Sequence, residues 1–211
     1  MKNHLIRQMF NIFYEEYGPQ HWWPAKTPFE VCVGAILTQN TSWRNVEKAI
    51  REMEKEGLLD YKRILECEDE VLEKAIQSSG FYKQKAKRLK EFCKSIDFDA
   101  IKRLDVMEAR KQLLSINGIG KETADSMLLY AFKKPIFVID AYTKRIYSRV
   151  TGEYVEDYDT LREMFEDSLG RSVKRYNEMH ALLVEHAKLY CTKNNPKCTS
   201  CPIKSICKYS Y

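Results

Sequence analysis

Apolar residues recur at helical spacing along nearly the whole chain, and no other feature limits its fold as strongly. Leu5, Met9, Ile12 and Phe13 share one face, as do Val46, Ile50 and Met53, and Leu89, Phe92, Cys93 and Ile96. Strict alternation, the mark of a half-buried strand, is nearly absent. One β-looking run, Ile136-Phe137-Val138-Ile139, is short and feeds directly into a helix-like stretch at Asp140. Breakers at Gly18-Pro19, Pro24, Pro28, Gly57, Gly80, Asn117 to Gly120, Lys134-Pro135, Gly152 and Pro196 cut the pattern into about ten short helices. No internal repeat or low-complexity linker separates them. The reading is an all-α protein. With 211 residues the chain suffices for one large domain or two small lobes that share a substantial core.

Hydrophobic residues make up 44% and charged residues 31%, the balance of a globular rather than a disordered chain. Met1 to Gly18 alternates apolar and charged residues at helical spacing. It has no unbroken apolar stretch, so neither a signal peptide nor a membrane span is expected there, and the expected location is the cytoplasm. The net charge of +5 is unevenly spread. From Arg171 onward eight basic residues face two acidic ones, so that segment carries +6 and the rest −1. Lys83, Lys85, Lys87, Arg88 and Lys90 form a second basic run with no acid inside it. Charge alone fits solvated helix faces; it also fits a surface for a polyanion such as a nucleic-acid backbone.

Seven cysteines are present, and Cys32, Cys67 and Cys93 lie singly in helical segments as buried apolar thiols would. The other four, Cys191, Cys198, Cys201 and Cys207, form Cys-x6-Cys-x2-Cys-x5-Cys in a short basic tail. Without a secretory signal a pair of disulfides is disfavoured. Thiolates gathered this closely repel one another unless a cation lies between them, so a metal site is expected. Zinc more commonly uses two tight pairs, whereas only Cys198 and Cys201 are two residues apart. Spacing leaves zinc and iron–sulfur both open.

Leu113 to Ala124 joins two helical stretches through Gly118-Ile119-Gly120. Two glycines permit a tight turn with backbone N–H groups exposed at the start of the next helix, an arrangement that can hold a phosphate. Lys121 follows at once. Asp140 stands between an apolar run and Ala141-Tyr142-Thr143-Lys144-Arg145. It can serve as an N-cap, or as a carboxylate kept ionised by the helix start and aimed at developing positive charge.

Taken together, Ile-Asn-Gly-Ile-Gly-Lys-Glu-Thr-Ala, then Val-Ile-Asp140, then the cysteine tail resemble the helix–hairpin–helix DNA glycosylases of the endonuclease III superfamily. Leu37-Thr38-Gln39-Asn40-Thr41 and Ser79-Gly80-Phe81-Tyr82-Lys83-Gln84-Lys85-Ala86 match two further family segments in the expected order. The resemblance implies two helical lobes. One is a six-helix domain over 21–134 with the helix–hairpin–helix; the other combines 1–20 and 135–211 and carries the catalytic Asp and a C-terminal [4Fe-4S] cluster loop. It implies a cluster on the four cysteines and Asp140 as the catalytic carboxylate. Gly118, Ile119 and Gly120, beside Lys121, would offer amides to a DNA phosphate, with a monovalent cation on nearby carbonyls. Gln39 resembles the residue that fills the hole left by a flipped nucleotide, and Phe81 the apolar wedge that unstacks its neighbour. Lys193 and Lys197 match a basic loop on the DNA backbone. The partner implied is double-stranded DNA with a damaged base, bound by a monomer away from any membrane.

Two departures refine the expectation. Bifunctional members carry a lysine directly before Thr-Ala in the hairpin motif, where it forms a Schiff base with C1′. Here that position is Glu122, which cannot form an imine, and Lys121 is displaced by about a quarter turn of helix. A monofunctional enzyme without AP-lyase activity is expected. All three tryptophans, Trp22, Trp23 and Trp43, fall within 22 residues. They could plug the core, or they could stack on a flipped cationic base. The Trp-Trp-Pro run and the ring at 43 look like the 3-methyladenine glycosylases of the endonuclease III-like branch, although part of that group lacks the cysteine cluster. The reading is therefore hydrolysis of the N-glycosidic bond of an alkylated purine such as 3-methyladenine. The rivals are an endonuclease III-like enzyme for oxidised pyrimidines or mismatched thymine or uracil, and a non-catalytic lesion binder.

Overall fold

The computed structural model describes residues 2–20, 22 and 25–209, the side chains of Lys2 and Asn3 excepted. Among them every regular element is helical: α1 (Lys2–Tyr17), α2 (Pro28–Leu37), α3 (Trp43–Lys55), α4 (Tyr61–Glu66), α5 (Asp69–Ala75), α6 (Tyr82–Ser95), α7 (Phe98–Arg103), α8 (Val106–Leu114), α9 (Lys121–Ser126), α10 (Ala141–Thr151), α11 (Tyr158–Leu169) and α12 (Val173–Leu189). Two compact units form, one from Met1–Pro24 with Pro135–Tyr211 and one from Ala25–Lys134.

The Ala25–Lys134 unit is built around α2. Every residue from Val31 to Leu37 is buried, so this helix is apolar all round and occupies the centre. α3, α6 and α9 pack on it, as does the π turn Met127–Ala131 that extends α9. Its start is fixed locally: Thr27 accepts from the Glu30 amide, Pro28 takes the first turn, and Glu30 reaches back to the Lys26 amide. Asp60, Asp97 and Asp105 cap α4, α7 and α8 in the same manner, each through two amides of the following turn.

In the other unit α1 packs against α11 and α12, and α10 against α12. Ile6, Met9 and Phe13 of α1 are fully buried, as predicted by the spacing for Met9 and Phe13. The β-looking run Ile136–Ile139 is extended and buried but joins no sheet. Its amides go to side chains instead: Phe137 N–H donates to Glu166 Oε1 at 2.8 Å and Ile139 N–H to Tyr158 Oη at 3.2 Å. The Phe137 ring stacks on Phe165, centroids 4.7 Å apart, with Tyr176 edge-on. This buried strap delivers the chain to Asp140 at the head of α10. No described helix is long and apolar enough to cross a membrane.

Candidate active site and nucleic-acid interface

The hairpin lies between α8 and α9. Arg110 of α8 makes a bidentate ion pair with Asp125 of α9, at 2.7 and 3.1 Å, with both side chains nearly inaccessible. In the turn itself, Gly118 has φ +87°, which a side chain rarely adopts. A Cβ there would also lie 2.6 Å from Cγ of Arg88. Ile119 turns inward, 5% exposed, and spends its N–H on the Ile116 carbonyl. Gly120, exposed, is the N-cap of α9, where first-turn amides have no partner inside the helix. The amides offered outward therefore belong to the glycine ends of the turn rather than to Ile119.

Gln39 is tied to this turn. Its Nε2 donates to the Gly118 carbonyl at 3.1 Å and to Thr123 Oγ1 at 3.0 Å, and its Oε1 accepts from Arg88. Lys85, fully buried, donates from Nζ to the Leu37 and Ser79 carbonyls, each at 2.7 Å. Burial, with the Arg88 charge second, pulls its pKa down to about 8. One buried ammonium thus joins the loop that carries Gln39 to the turn before Phe81. Phe81 itself is 66% exposed, with its backbone in the left-handed region at φ 49°. A large apolar ring held outward in a strained conformation is unsuited to a core and suited to a wedge. The basic run around it is divided: Lys83 and Lys87 are exposed, while Lys90 donates to the Cys67 carbonyl and pairs with Asp69.

Glu122 and Lys121 occupy the exposed first turn of α9. Trp43 opens α3, half-buried, and its Nε1 donates to Glu47 Oε1 at 3.0 Å. Trp23 lies outside the described residues.

Asp140 is the N-cap of α10, and its Oδ1 accepts from the Thr143 amide at 2.7 Å and the Thr143 hydroxyl at 2.8 Å. Its Oδ2 lies 3.5 Å from Nε2 of His180 on α12, and the carboxylate is 14% exposed. Burial works against ionisation here, but His180 and Thr143 outweigh it and hold the carboxyl below the usual carboxylate range. An N-cap carboxylate kept charged in a largely dry setting can stabilise a developing oxocarbenium ion or orient water. Trp22 belongs to the same unit, with its indole 5.3 Å from the His180 ring. No sequence motif marked His180: it sits mid-helix and reaches Asp140 only through the fold.

The tail corrects the cofactor expectation. Among the described residues no three of His, Cys, Asp and Glu are grouped so as to hold a metal ion. The expected [4Fe-4S] cluster, or zinc, on Cys191, Cys198, Cys201 and Cys207 is not upheld. Three of the four thiols have protein partners. Cys191 Sγ accepts from Arg149 Nη1 at 3.2 Å, Cys207 Sγ donates to the Arg149 carbonyl, and Cys201 Sγ lies 3.7 Å from His186 Nε2. Burial first, with the neighbouring thiols adding to it, raises the pKa of Cys198, of Cys201 (to about 11) and of Cys207. Arginines of α10 do the holding: Arg145 donates to the Cys191 carbonyl, and Arg149 to the carbonyls of Thr192 and Lys193 while lying over the Tyr209 ring. Lys193 and Lys197 are exposed on this braced loop. The Leu113, Ile116 and Gly118 carbonyls of the hairpin each accept a protein N–H, and among the described residues no group of three His, Cys, Asp or Glu stands there to hold the expected monovalent cation.

A helical fold bearing a two-glycine hairpin between helices and a carboxylate at a helix start defines a DNA-processing protein of the helix–hairpin–helix class. Residues 33–170 match the profile of the HhH-GPD superfamily base excision DNA repair proteins. Similar proteins agree. One from Methanocaldococcus jannaschii, provisionally named a DNA repair glycosylase, is 47% identical over 98% of this chain and 97% of its own. An endonuclease III of Sulfolobus acidocaldarius is 30% identical over 86% of this chain and 82% of its own. The H. pylori 3-methyladenine DNA glycosylase bound to 1,N6-ethenoadenine shares 29% identity and a TM-score of 0.76, over 89% of this chain and 97% of its own. The chain belongs to the HhH-GPD superfamily. It is a base-excision DNA N-glycosylase acting on damaged bases.

Proposed function

We propose that the enzyme is an endonuclease III-like glycosylase that hydrolyses the N-glycosidic bond of a thymine or uracil flipped from a mismatch, without cleaving the strand. Glu122 carries this reading: a carboxylate at the head of α9 cannot form the imine that lyase chemistry needs. The 30% identical relative named endonuclease III supports the endonuclease III-like part of this reading. In the reaction, Phe81 unstacks the step beside the lesion, Gln39 fills the gap left by the flipped nucleotide, and the glycine amides hold the hairpin on the backbone. Asp140 stabilises the positive charge that builds on the sugar as the base departs, and orients or deprotonates the attacking water. Lys193 and Lys197 add sequence-independent contacts to phosphates.

A second reading, an alkylated purine such as 3-methyladenine, is favoured by the name of the 29% identical structure. The tryptophans give it less support, because Trp22 packs on His180 and Trp43 bonds Glu47. A panel of duplexes carrying G·T, G·U, thymine glycol or 3-methyladenine, scored for base release with and without alkali, separates the readings. Release from G·T or G·U with alkali-dependent strand breaks is expected. Release from 3-methyladenine alone would establish the second reading. Alkali-independent breaks with a borohydride-trapped adduct would refute the monofunctional assignment.

A further inference from the structure

The two oxygens of Asp140 have different surroundings. Oδ1 is pinned within its own helix start by the amide and hydroxyl of Thr143. With that oxygen fixed, the freedom left to the carboxylate is a swing of Oδ2, and Oδ2 faces Nε2 of His180 at 3.5 Å. The imidazole is itself confined. It is 6% exposed on α12, with the Trp22 indole 5.3 Å away and the Phe137 ring edge-on at 6.3 Å and 86°. Phe137 in turn stacks on Phe165, so the support reaches the core of the unit. A ring wedged among aromatic neighbours cannot follow a moving carboxylate; the carboxylate must take its direction from the ring.

We propose that His180 is a positioning residue for Asp140, fixing the direction of Oδ2 through Nε2 while Trp22 and Phe137 hold the imidazole in place. The inference rests on Asp140 being the reacting carboxylate. It gives Trp22 a role at one remove, acting on the carboxylate through His180 rather than on the base. It also accounts for a carboxyl that stays ionised in a site where burial opposes charge. In the neutral imidazole, Nε2 must carry the proton to serve as donor.

The test pairs His180→Gln, whose amide reaches the position of Nε2, with His180→Asn, which is polar but too short. Three quantities are read: single-turnover base release from G·U and 3-methyladenine duplexes, affinity for a duplex with a tetrahydrofuran abasic site, and the Asp140 carboxyl titration by NMR of aspartate-labelled protein. His180→Asn should slow release by about tenfold or more, with abasic-site affinity within about twofold of the parent. His180→Gln should recover to within about threefold of the parent rate. The Asp140 carboxyl should titrate at higher pH in the Asn variant than in the parent or the Gln variant. Equal losses in the two variants, a parent-like rate in His180→Asn, or an unmoved Asp140 titration would each overturn the proposal. A parent protein inactive on both duplexes would refute the functional reading, and the titration would still decide the role of His180.

Discussion

Gly118→Ala tests how the hairpin is held, because two separate costs converge on one missing methyl group. The backbone at Gly118 is left-handed, φ +87°, which costs a residue with a Cβ about 1–2 kcal/mol. The added Cβ would also stand 2.6 to 2.8 Å from Cγ, Cδ and Nε of Arg88. Those atoms lie in the middle of the side chain, so the whole guanidinium must move and its bond to Gln39 Oε1 is lost. A hydrogen bond to a charged group is worth about 1.5–3 kcal/mol, and the half-buried position of Arg88 argues for the lower end. The expected loss is about 2–4 kcal/mol, a fall in Tm of roughly 4–16 °C for a chain of this length. Gly120→Ala is the control. Nothing lies within 4 Å of its added Cβ, and its φ of −90° suits any residue. It should cost about 1 kcal/mol or less, the price of a poorer N-cap. Thermal and urea denaturation of both variants give the comparison, and affinity for an abasic-site duplex reports on the hairpin directly. Equal losses at the two glycines, or a Gly118→Ala cost under about 1 kcal/mol, would refute the reasoning.

Other outcomes follow from the same geometry. Asp125→Ala removes the bidentate carboxylate from the buried Arg110 guanidinium, and should cost about 3–5 kcal/mol in urea denaturation; a loss below about 1 kcal/mol would show the pair to be dispensable. His186 is fully inaccessible, and burial pulls its pKa from 6.5 to about 4. The unfolded chain then binds a proton that the folded one refuses, so stability falls as pH drops from 6.5 towards 4, by at most about 1.4 kcal/mol per pH unit. His186→Phe should flatten that slope, measured by urea denaturation at pH 7 and pH 5; an unchanged slope would place the acid sensitivity elsewhere. Arg149→Ala removes the bonds that brace the tail, and trypsin should then cut at Lys193 and Lys197 several times faster than in the parent; unchanged cleavage would mean that the arginine does not hold the loop.

Local signals carried much of the fold. Helical spacing set out most of the elements, and side-chain capping at Asp60, Asp97, Asp105 and Asp140 fixed starts that depend on neighbours only two or three residues away. The glycine turn was legible for the same reason. Long-range contacts were not. Ile136–Ile139 reads as a strand because its apolar residues are consecutive, yet its amides are satisfied by Glu166 and Tyr158, some twenty to thirty residues on. His180 is invisible to any motif because Asp140 is forty residues away in sequence. Lys85 reads as one cation in a basic run, and only the fold shows it bonding two carbonyls in the interior. The cysteine tail shows the opposite error. Close clustering suggested a shared metal, while the fold gives Cys191 and Cys207 to Arg149 and Cys201 to His186 and leaves no metal-holding group among the described residues.

The central claim is base hydrolysis directed by Asp140 with no covalent intermediate at Glu122. Single-turnover reaction of a G·U duplex, with and without alkali and with borohydride present, addresses it most directly. Uracil release is expected from the parent enzyme, with strand breaks only after alkali and no trapped adduct. Asp140→Asn should slow release by about 10²–10³-fold, the scale of losing one preorganised charge at a reacting centre. Alkali-independent breaks with a trapped adduct, or near-parental release by Asp140→Asn, would contradict it.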